Sequence, residues 1–566
     1  MYQNLLRYYI PITENIVPWG DPFTYEIGYY ELLNRIYRGE FYQTISYIFE
    51  SNWYWLQKIL LLIFSPVLIN EPYSLCIINY FVYVVASILL YVLLIELDVN
   101  KALSRLLSIG LWIYPINYHF KEYSALPMMG LDSTFLGSLY CVVFSYLTFL
   151  KKPSSKLYQI SFSIFLCAAF IGRGNAITVI ALVLFFPTIY FLIQLIKNKN
   201  YIVLKNFIIP SIFFFVTVLL FYSLQLKGIL NYYSVFQGFL TKDMSLTLPY
   251  LKHIPGIFFL YPDYSEIDLM NKTDFRVFSI SIFCHIINFL TFFLVQKVND
   301  KNFKLLAYTG LFIFYGTFFI NLLLWMNPHI NIYNAQLIWA PMRIGLILTF
   351  SFIIIRFFTR FGSLVSNLLF VLLFLSIFFT SNLIYKKNMD EAFKNKSYYV
   401  PNEIRKIDTF IKQNSKPKSV IILWFGPNLS PRILNYYSIK DKKELLDYYR
   451  GKYADYIWNQ SDTSEEFKQK VKNEIENIFN NVNLIVLNES SKNFAGPYAW
   501  ARYKEYITTQ IQKGKLNDFK VIGTVKSHRG NLLILKRVLD VEKNFSYEII
   551  GNNDYIIKSF NVENIF

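Results

Sequence analysis

Apolar runs dominate the first two thirds of the chain and stop near residue 385. Stretches such as YFVYVVASILLYVLLI (80–95), FIIPSIFFFVTVLLFYSL (207–224) and LLFVLLFLSIFF (368–379) sit inside apolar spans of about 20 residues, the length a helix needs to cross a hydrocarbon core roughly 30 Å thick. The pattern predicts membrane helices over 74–96, 102–118, 132–150, 158–172, 175–195, 206–226, 276–296, 304–326, 337–358 and 364–384. The run 54–70 reads as an interfacial helix, because Trp53, Tyr54, Trp55 and Lys58 suit the headgroup level.

After residue 388 the pattern changes period. Strand-like runs at 419–425, 483–488, 519–525 and 531–538 alternate with polar helical patterns at 401–413, 463–479 and 498–514, which predicts a small α/β domain. Its roughly 175 residues are enough for a core of their own. The tail beyond 540 reads as a further strand pair or an ordered extension. This part has no Gly-rich phosphate loop, metal cluster or nucleophile motif, so recognition or structure is its expected role. The expected class is thus a polytopic α-helical membrane protein with a C-terminal extracytoplasmic α/β domain. Its divisions are 1–73 as a first extracytoplasmic loop with interfacial helices, 74–387 as the transmembrane part and 388–566 as the soluble domain.

Charge supplies the orientation. Only 16% of residues are charged, against about 25% in soluble domains. Lys101 and Arg105; Lys151, Lys152 and Lys156; Lys197, Lys199 and Lys205; Lys297, Lys301 and Lys304; and Arg356 and Arg360 fall in alternate loops, which the positive-inside rule places in the cytoplasm. The segments 119–131, 173–174, 227–275, 327–336 and everything after 385 are then outside, as are the residues before 74. The net charge of +17 does not read as a nucleic-acid footprint, because the cations are scattered and no compact basic stripe carries interleaved aromatics. A bilayer with anionic headgroups is the better partner. Cys76, Cys141, Cys167 and Cys284 lie in apolar spans without ligand spacing, so they read as packing residues. The first residues lack the basic and apolar regions of a signal peptide.

Several polar residues fall on the outer side of this topology. Asp21 lies in the turn Trp-Gly-Asp-Pro, where Gly and Pro fix the backbone and present the side chain; it reads either as a turn cap for Thr24–Tyr29 or as a working carboxylate. The segment KEYSALPMMGLDSTFLGSL supplies Lys121, Glu122 and Asp132, and Asp132 reads either as a helix N-cap or as a functional acid at a membrane boundary. Arg173, in a Gly-Arg-Gly-Asn link, suits a phosphate, since a guanidinium grips phosphate oxygens with two parallel hydrogen bonds. Arg343, just inside a span, needs an anionic ligand or an ion-pair partner. His329 lies in an outer loop, and His285 is mid-span, where hydrogen bonding between helices is the expected role. The connection 227–275 is long and aromatic, as an ordered lid on the membrane surface would be.

Taken in order, these segments resemble the GT-C superfamily of integral-membrane glycosyltransferases, of the mannosyltransferase and aminoarabinose-transferase type that uses polyprenyl-phosphate sugars. WGDPFTYE looks like the acidic first-loop motif, WLQKILLLIF like the juxtamembrane helix behind it, and GLDSTFLGSL like the second-loop motif. IGRGNAITVI is similar to a basic Gly-flanked link, and NIYNAQLIWAPMRIG to a late Arg-containing segment. The resemblance covers the chain to about residue 385. It implies an inverting transfer of a hexosyl or pentosyl group from a polyprenyl-phosphate sugar to a glycan, lipid or protein acceptor, outside the cytoplasmic membrane of a bacterium. Asp21 would be the general base, and Arg173, Arg343 and Lys121 would stabilise the leaving phosphate. Asp132 with Glu122 would orient the acceptor, hold a divalent cation, Mg or Mn, together with Asp21, or stabilise oxocarbenium character; the residues do not demand the metal. On this reading the two carboxylates converge within roughly 10 Å.

Two departures are visible. Family members carry a helix ahead of the first loop; here the expectation is that upstream DNA encodes about 20 apolar residues in frame. The first-loop motif often has two adjacent acids, but Asp21 is followed by Pro22, which weakens a two-carboxylate metal arrangement. Three rivals stand beside the transferase: a glycan polymerase or ligase resting on Arg173, Arg343 and His329; a lipid-linked-sugar transporter or flippase, which would carry mid-span charges and internal repeats; and a non-catalytic scaffold using the α/β domain.

Overall fold

A computed structural model of the protein describes residues 38–50, 55–64, 74–111, 131–172, 176–199, 201–240, 275–324, 332–358, 401–415, 420–422, 465–493, 504–526, 531–538, 544–550 and 554–559, with single positions between them. The chain forms two compact units, one within Leu32–Met389 and one within Asp390–Phe566.

The first unit is helical. Helices α1 (Phe41–Glu50) and α2 (Trp55–Phe64) are short; α3 (Ser74–Glu96), α4 (Lys101–Gly110), α5 (Leu131–Lys151), α6 (Lys156–Ile171) and α7 (Ala176–Asn198) follow. A 3-10 segment at Tyr201–Phe207 leads into α8 (Ile208–Leu240), then α9 (Phe275–Gln296), α10 (Lys301–Leu324) and α11 (Ile332–Phe358). Among the described residues, Thr134–Lys151, Val179–Asn198 and Val203–Leu226 are long and apolar enough to cross a membrane. Helices α3, α9, α10 and α11 run 23, 22, 24 and 27 residues.

Burial separates helices that sequence makes look alike. The apolar window of α5 is 94% buried, whereas Val203–Leu226 is 11% buried, so α5 is the centre of the bundle and α8 an exposed apolar edge. Glycines set the closest crossings. A Cβ on Gly345 would lie 2.7 Å from the Gly310 carbonyl oxygen, and one on Gly310 would lie 2.7 Å from Thr349 Cγ2, so α10 and α11 approach backbone to backbone. Without a hydrophobic drive between helices in lipid, such small-residue contacts gain dispersion energy that larger side chains would block. Gly137 does the same for α5 on α3, with a would-be Cβ 2.7 Å from Val82 Cγ1.

At one end of the bundle the turn after α3 puts Asp98 in the left-handed region (φ 61°), and Asn100 Oδ1 accepts from the Ala102 N–H at 2.8 Å to cap α4. There Lys152 Nζ pairs with Glu96 Oε2 at 2.5 Å, and Tyr158 Oη donates to Glu96 Oε1 at 2.6 Å. Lys152, of the set predicted to be cytoplasmic, lies at this end.

Several elements differ from the sequence pattern. Helix α8 continues through 227–240, the start of the connection expected as a loop, because no proline interrupts the chain between Pro210 and Pro249. Trp55, expected at the headgroup level, is only 4% exposed and packs edge-on against Phe49 and Phe221. Cys141 and Cys284 are buried and Cys167 is half-buried, in keeping with packing roles. His285 meets the Phe314 ring at 5.7 Å.

The second unit holds α12 (Pro401–Asn414), β1 (Val420–Ile422), α13 (Glu465–Asn481), β2 (Leu484–Asn488), α14 (Lys504–Gln512), β3 (Phe519–Val525), β4 (Leu532–Arg537), β5 (Phe545–Ile550) and β6 (Asp554–Ser559). The main sheet has the order β1-β2-β4-β3, parallel at β1/β2 and antiparallel elsewhere, with β5 and β6 paired as a hairpin. Strand β2 is buried throughout, as a central strand covered on both faces must be. Arg537 closes α13: its guanidinium donates to the Phe479 and Val482 carbonyls left open at the helix end and lies 4.8 Å from the Phe519 ring centre.

Candidate functional site

The end of the bundle opposite the Glu96–Lys152 pair is where α5 begins and α6 ends. Helix α6 stops at Gly172, whose would-be Cβ lies 3.2 Å from Phe135 Cδ2. A Cβ there would crowd that ring by a few tenths of an ångström, so glycine favours the close seating of the last turn of α6 against the first turns of α5. Arg173 is the next residue along one chain, and Asp132 lies three residues before Phe135 on the other.

An aromatic cluster packs around the same turn of α6. Phe170 meets Phe221 of α8 at 5.2 Å, Phe221 meets Trp55 of α2 at 4.9 Å, and Trp55 meets Phe49 of α1 at 4.7 Å. Gln225 of α8 donates through Nε2 to the Phe49 carbonyl, tying α1 to the bundle. The short helices therefore pack into this end of the unit rather than only resting on a membrane surface.

Asp132 falls in the first turn of α5, which starts at Leu131, so its backbone is inside the helix rather than ahead of it. Its side chain lies outside the described residues, as do Asp21, Lys121, Glu122, Arg173 and His329. The expected convergence of Asp21 and Asp132 falls there too. Among the described residues no three His, Cys, Asp or Glu side chains gather as metal ligands would.

Arg343 is described, and its surroundings are unusual for a cation. It is 6% exposed, two residues beyond Pro341 inside α11, and within electrostatic reach of Tyr83 of α3 and Tyr140 of α5. Those phenols are 4% and 1% exposed, with ring centres 5.8 Å apart. Tyr140 lies eight residues beyond Asp132, or about 12 Å deeper along the helix. Nearby phenol oxygens lessen the cost of a guanidinium in low dielectric, where a bare cation is expensive. The sequence reading missed Tyr83 and Tyr140, since tyrosines are common throughout these spans. The available signal was Gly137, one turn before Tyr140, which marks a close helix contact.

No family model matches the chain, and no curated protein matches it. The chain is similar to a solved structure, described as the crystal structure of ArnT from Cupriavidus metallidurans bound to undecaprenyl phosphate, with 10% sequence identity, a TM-score of 0.49 and coverage of 94% of this chain and 96% of that one.

Proposed function

We propose that this protein is a membrane glycosyltransferase that moves a sugar from a polyprenyl-phosphate donor to an acceptor on the extracytoplasmic side, where its C-terminal unit also lies. The observation that carries the reading is the Gly172–Phe135 contact. It sets the chain leading into Arg173 beside the helix turn that carries Asp132, at the end of the bundle remote from the basic loops. On this reading Arg173 and Asp132 supply the cation and the carboxylate that phosphate departure and acceptor orientation require.

In this mechanism Asp21 takes the proton of the acceptor hydroxyl as its oxygen attacks the anomeric carbon. The bond to the lipid phosphate breaks on the opposite face, which inverts that carbon. Arg173, with Lys121, meets the charge growing on the departing phosphate, and Asp132 with Glu122 orients the acceptor. Arg343 lies deeper, where its charge biases the bundle toward an anionic headgroup above it. A divalent cation held by Asp21 and Asp132, if one is bound, would add charge neutralisation at the phosphate.

Transfer from a radiolabelled polyprenyl-phosphate sugar, measured in membranes, tests the assignment. Asp21→Asn and Arg173→Ala should each remove nearly all transfer while inserting normally. Unchanged transfer by Asp21→Asn rejects that residue as the base. Loss confined to Arg173, Arg343 and His329 variants favours a glycan polymerase or ligase.

A further inference from the structure

The most lipid-exposed part of the described bundle is also locally basic. Helices α7 and α8 are joined through the 3-10 segment Tyr201–Phe207 but pack on different neighbours, α7 chiefly on α10 and α8 chiefly on α6. Phe191 of α7 and Phe207 still meet at 5.7 Å near the join. The two helices therefore diverge from a common apex. Near that apex they present Ile193 and Ile196 on one side and Ile208 and Ile212 on the other, at 44%, 61%, 55% and 56% exposure. Lys197, Lys199 and Lys205 stand at the apex itself, all exposed, with Lys199 in the left-handed region (φ 51°) as the chain reverses. No acidic residue lies between 176 and 242.

We propose that this apex seats an anionic phospholipid of the cytoplasmic leaflet, with the three lysines on its phosphate and its acyl chains along the diverging apolar faces of α7 and α8. Charge complementarity selects this occupant. A zwitterionic lipid would set its own ammonium against the lysines, and a soluble anion would leave the apolar walls uncovered. The basic turn at α9/α10 differs, since Asp300 stands among Lys297, Lys301 and Lys304. Each lysine near a membrane surface contributes about fivefold to anionic-lipid binding, so the three together contribute on the order of a hundredfold. The site is independent of the sugar-transfer reading.

The test uses the full chain purified in neutral detergent, with retained lipid counted by native mass spectrometry after exposure to phosphatidylglycerol or phosphatidylcholine. Wild type should hold phosphatidylglycerol on the order of a hundredfold more strongly. Lys197→Gln, Lys199→Gln and Lys205→Gln together should bring it to the phosphatidylcholine level, and the matching Arg replacements should retain it, which separates lost charge from lost folding. Two outcomes overturn the proposal. One is an equal loss when Lys297, Lys301 and Lys304 are changed to Gln, which marks a diffuse field instead of a seat. The other is displacement of the lipid by millimolar inorganic phosphate, which marks a site for a free anion.

Discussion

Asp554 shows how a single residue stitches the C-terminal unit together. Its carboxylate accepts from Ser491 Oγ at 2.8 Å and from Lys504 Nζ at 3.1 Å, joining the β5–β6 hairpin to the end of β2 and to α14. The Ser491 hydrogen bond, and then the Lys504 ammonium, hold the carboxyl below its ordinary range. A depressed folded pKa contributes stability that is present above the unfolded value of about 3.9 and is lost as pH falls through the folded value. Asp554→Asn should therefore lower the unfolding temperature near neutral pH, and the gap from wild type should close as the pH drops below about 4. A gap independent of pH would assign the effect to packing. Arg537→Ala should cost about 1–2 kcal/mol by reopening the carbonyls at the end of α13, and Arg537→Lys should recover only part of it, because a point charge cannot serve both acceptors as a fork does. Chemical denaturation followed by far-UV circular dichroism measures both.

Among elements, α10 and α11 form the tightest described crossing, since Gly310 and Gly345 leave no room for a side chain on either helix. Gly345→Leu should destabilise the helical unit by about 3 kcal/mol, because added volume there meets backbone that cannot move without separating the helices. Detergent thermal unfolding would show it, and a wild-type midpoint would refute the close crossing. The expected spans at 132–150, 175–195 and 206–226 coincide with described helices long and apolar enough to cross a membrane, whereas at 102–118 the described helix runs only Lys101–Gly110. Their ends were less legible. The apolar run stops at Leu226, yet the helix continues to Leu240, so hydropathy marks where the apolar stretch ends and not where the helix ends. The short helix α2 read as interfacial by its tryptophans, yet Trp55 is buried, because Phe49 and Phe221 come from segments that sequence distance does not connect to it.

For the whole molecule, alternating loop charge predicts which end of the bundle faces the cytoplasm. A cysteine placed at Lys152, beside Glu96, should react with a membrane-impermeant maleimide only after the cells are permeabilised, and one placed at Lys513 in the C-terminal unit should react in intact cells. Both side chains are exposed, so accessibility within the fold does not confound the comparison. Reaction at Lys152 and not at Lys513 in intact cells would invert the topology and remove the extracytoplasmic assignment. Of the candidate site, Arg173 and Asp132 stand out in the sequence as polar residues at span boundaries, and their side chains lie outside the described residues.

Sequence alone therefore determined the membrane class, the change of character near residue 388 and the predicted side of each loop. These follow from solvent preference, which acts residue by residue and is local in the chain. Tertiary structure decided which helix is central, that the end of α6 rests on the start of α5, and that Arg343 is buried within electrostatic reach of Tyr83 and Tyr140. Those depend on which apolar faces meet. In lipid every such face looks alike to the solvent, so shape, the absence of a Cβ at Gly137, Gly172, Gly310 and Gly345 above all, selects the partners.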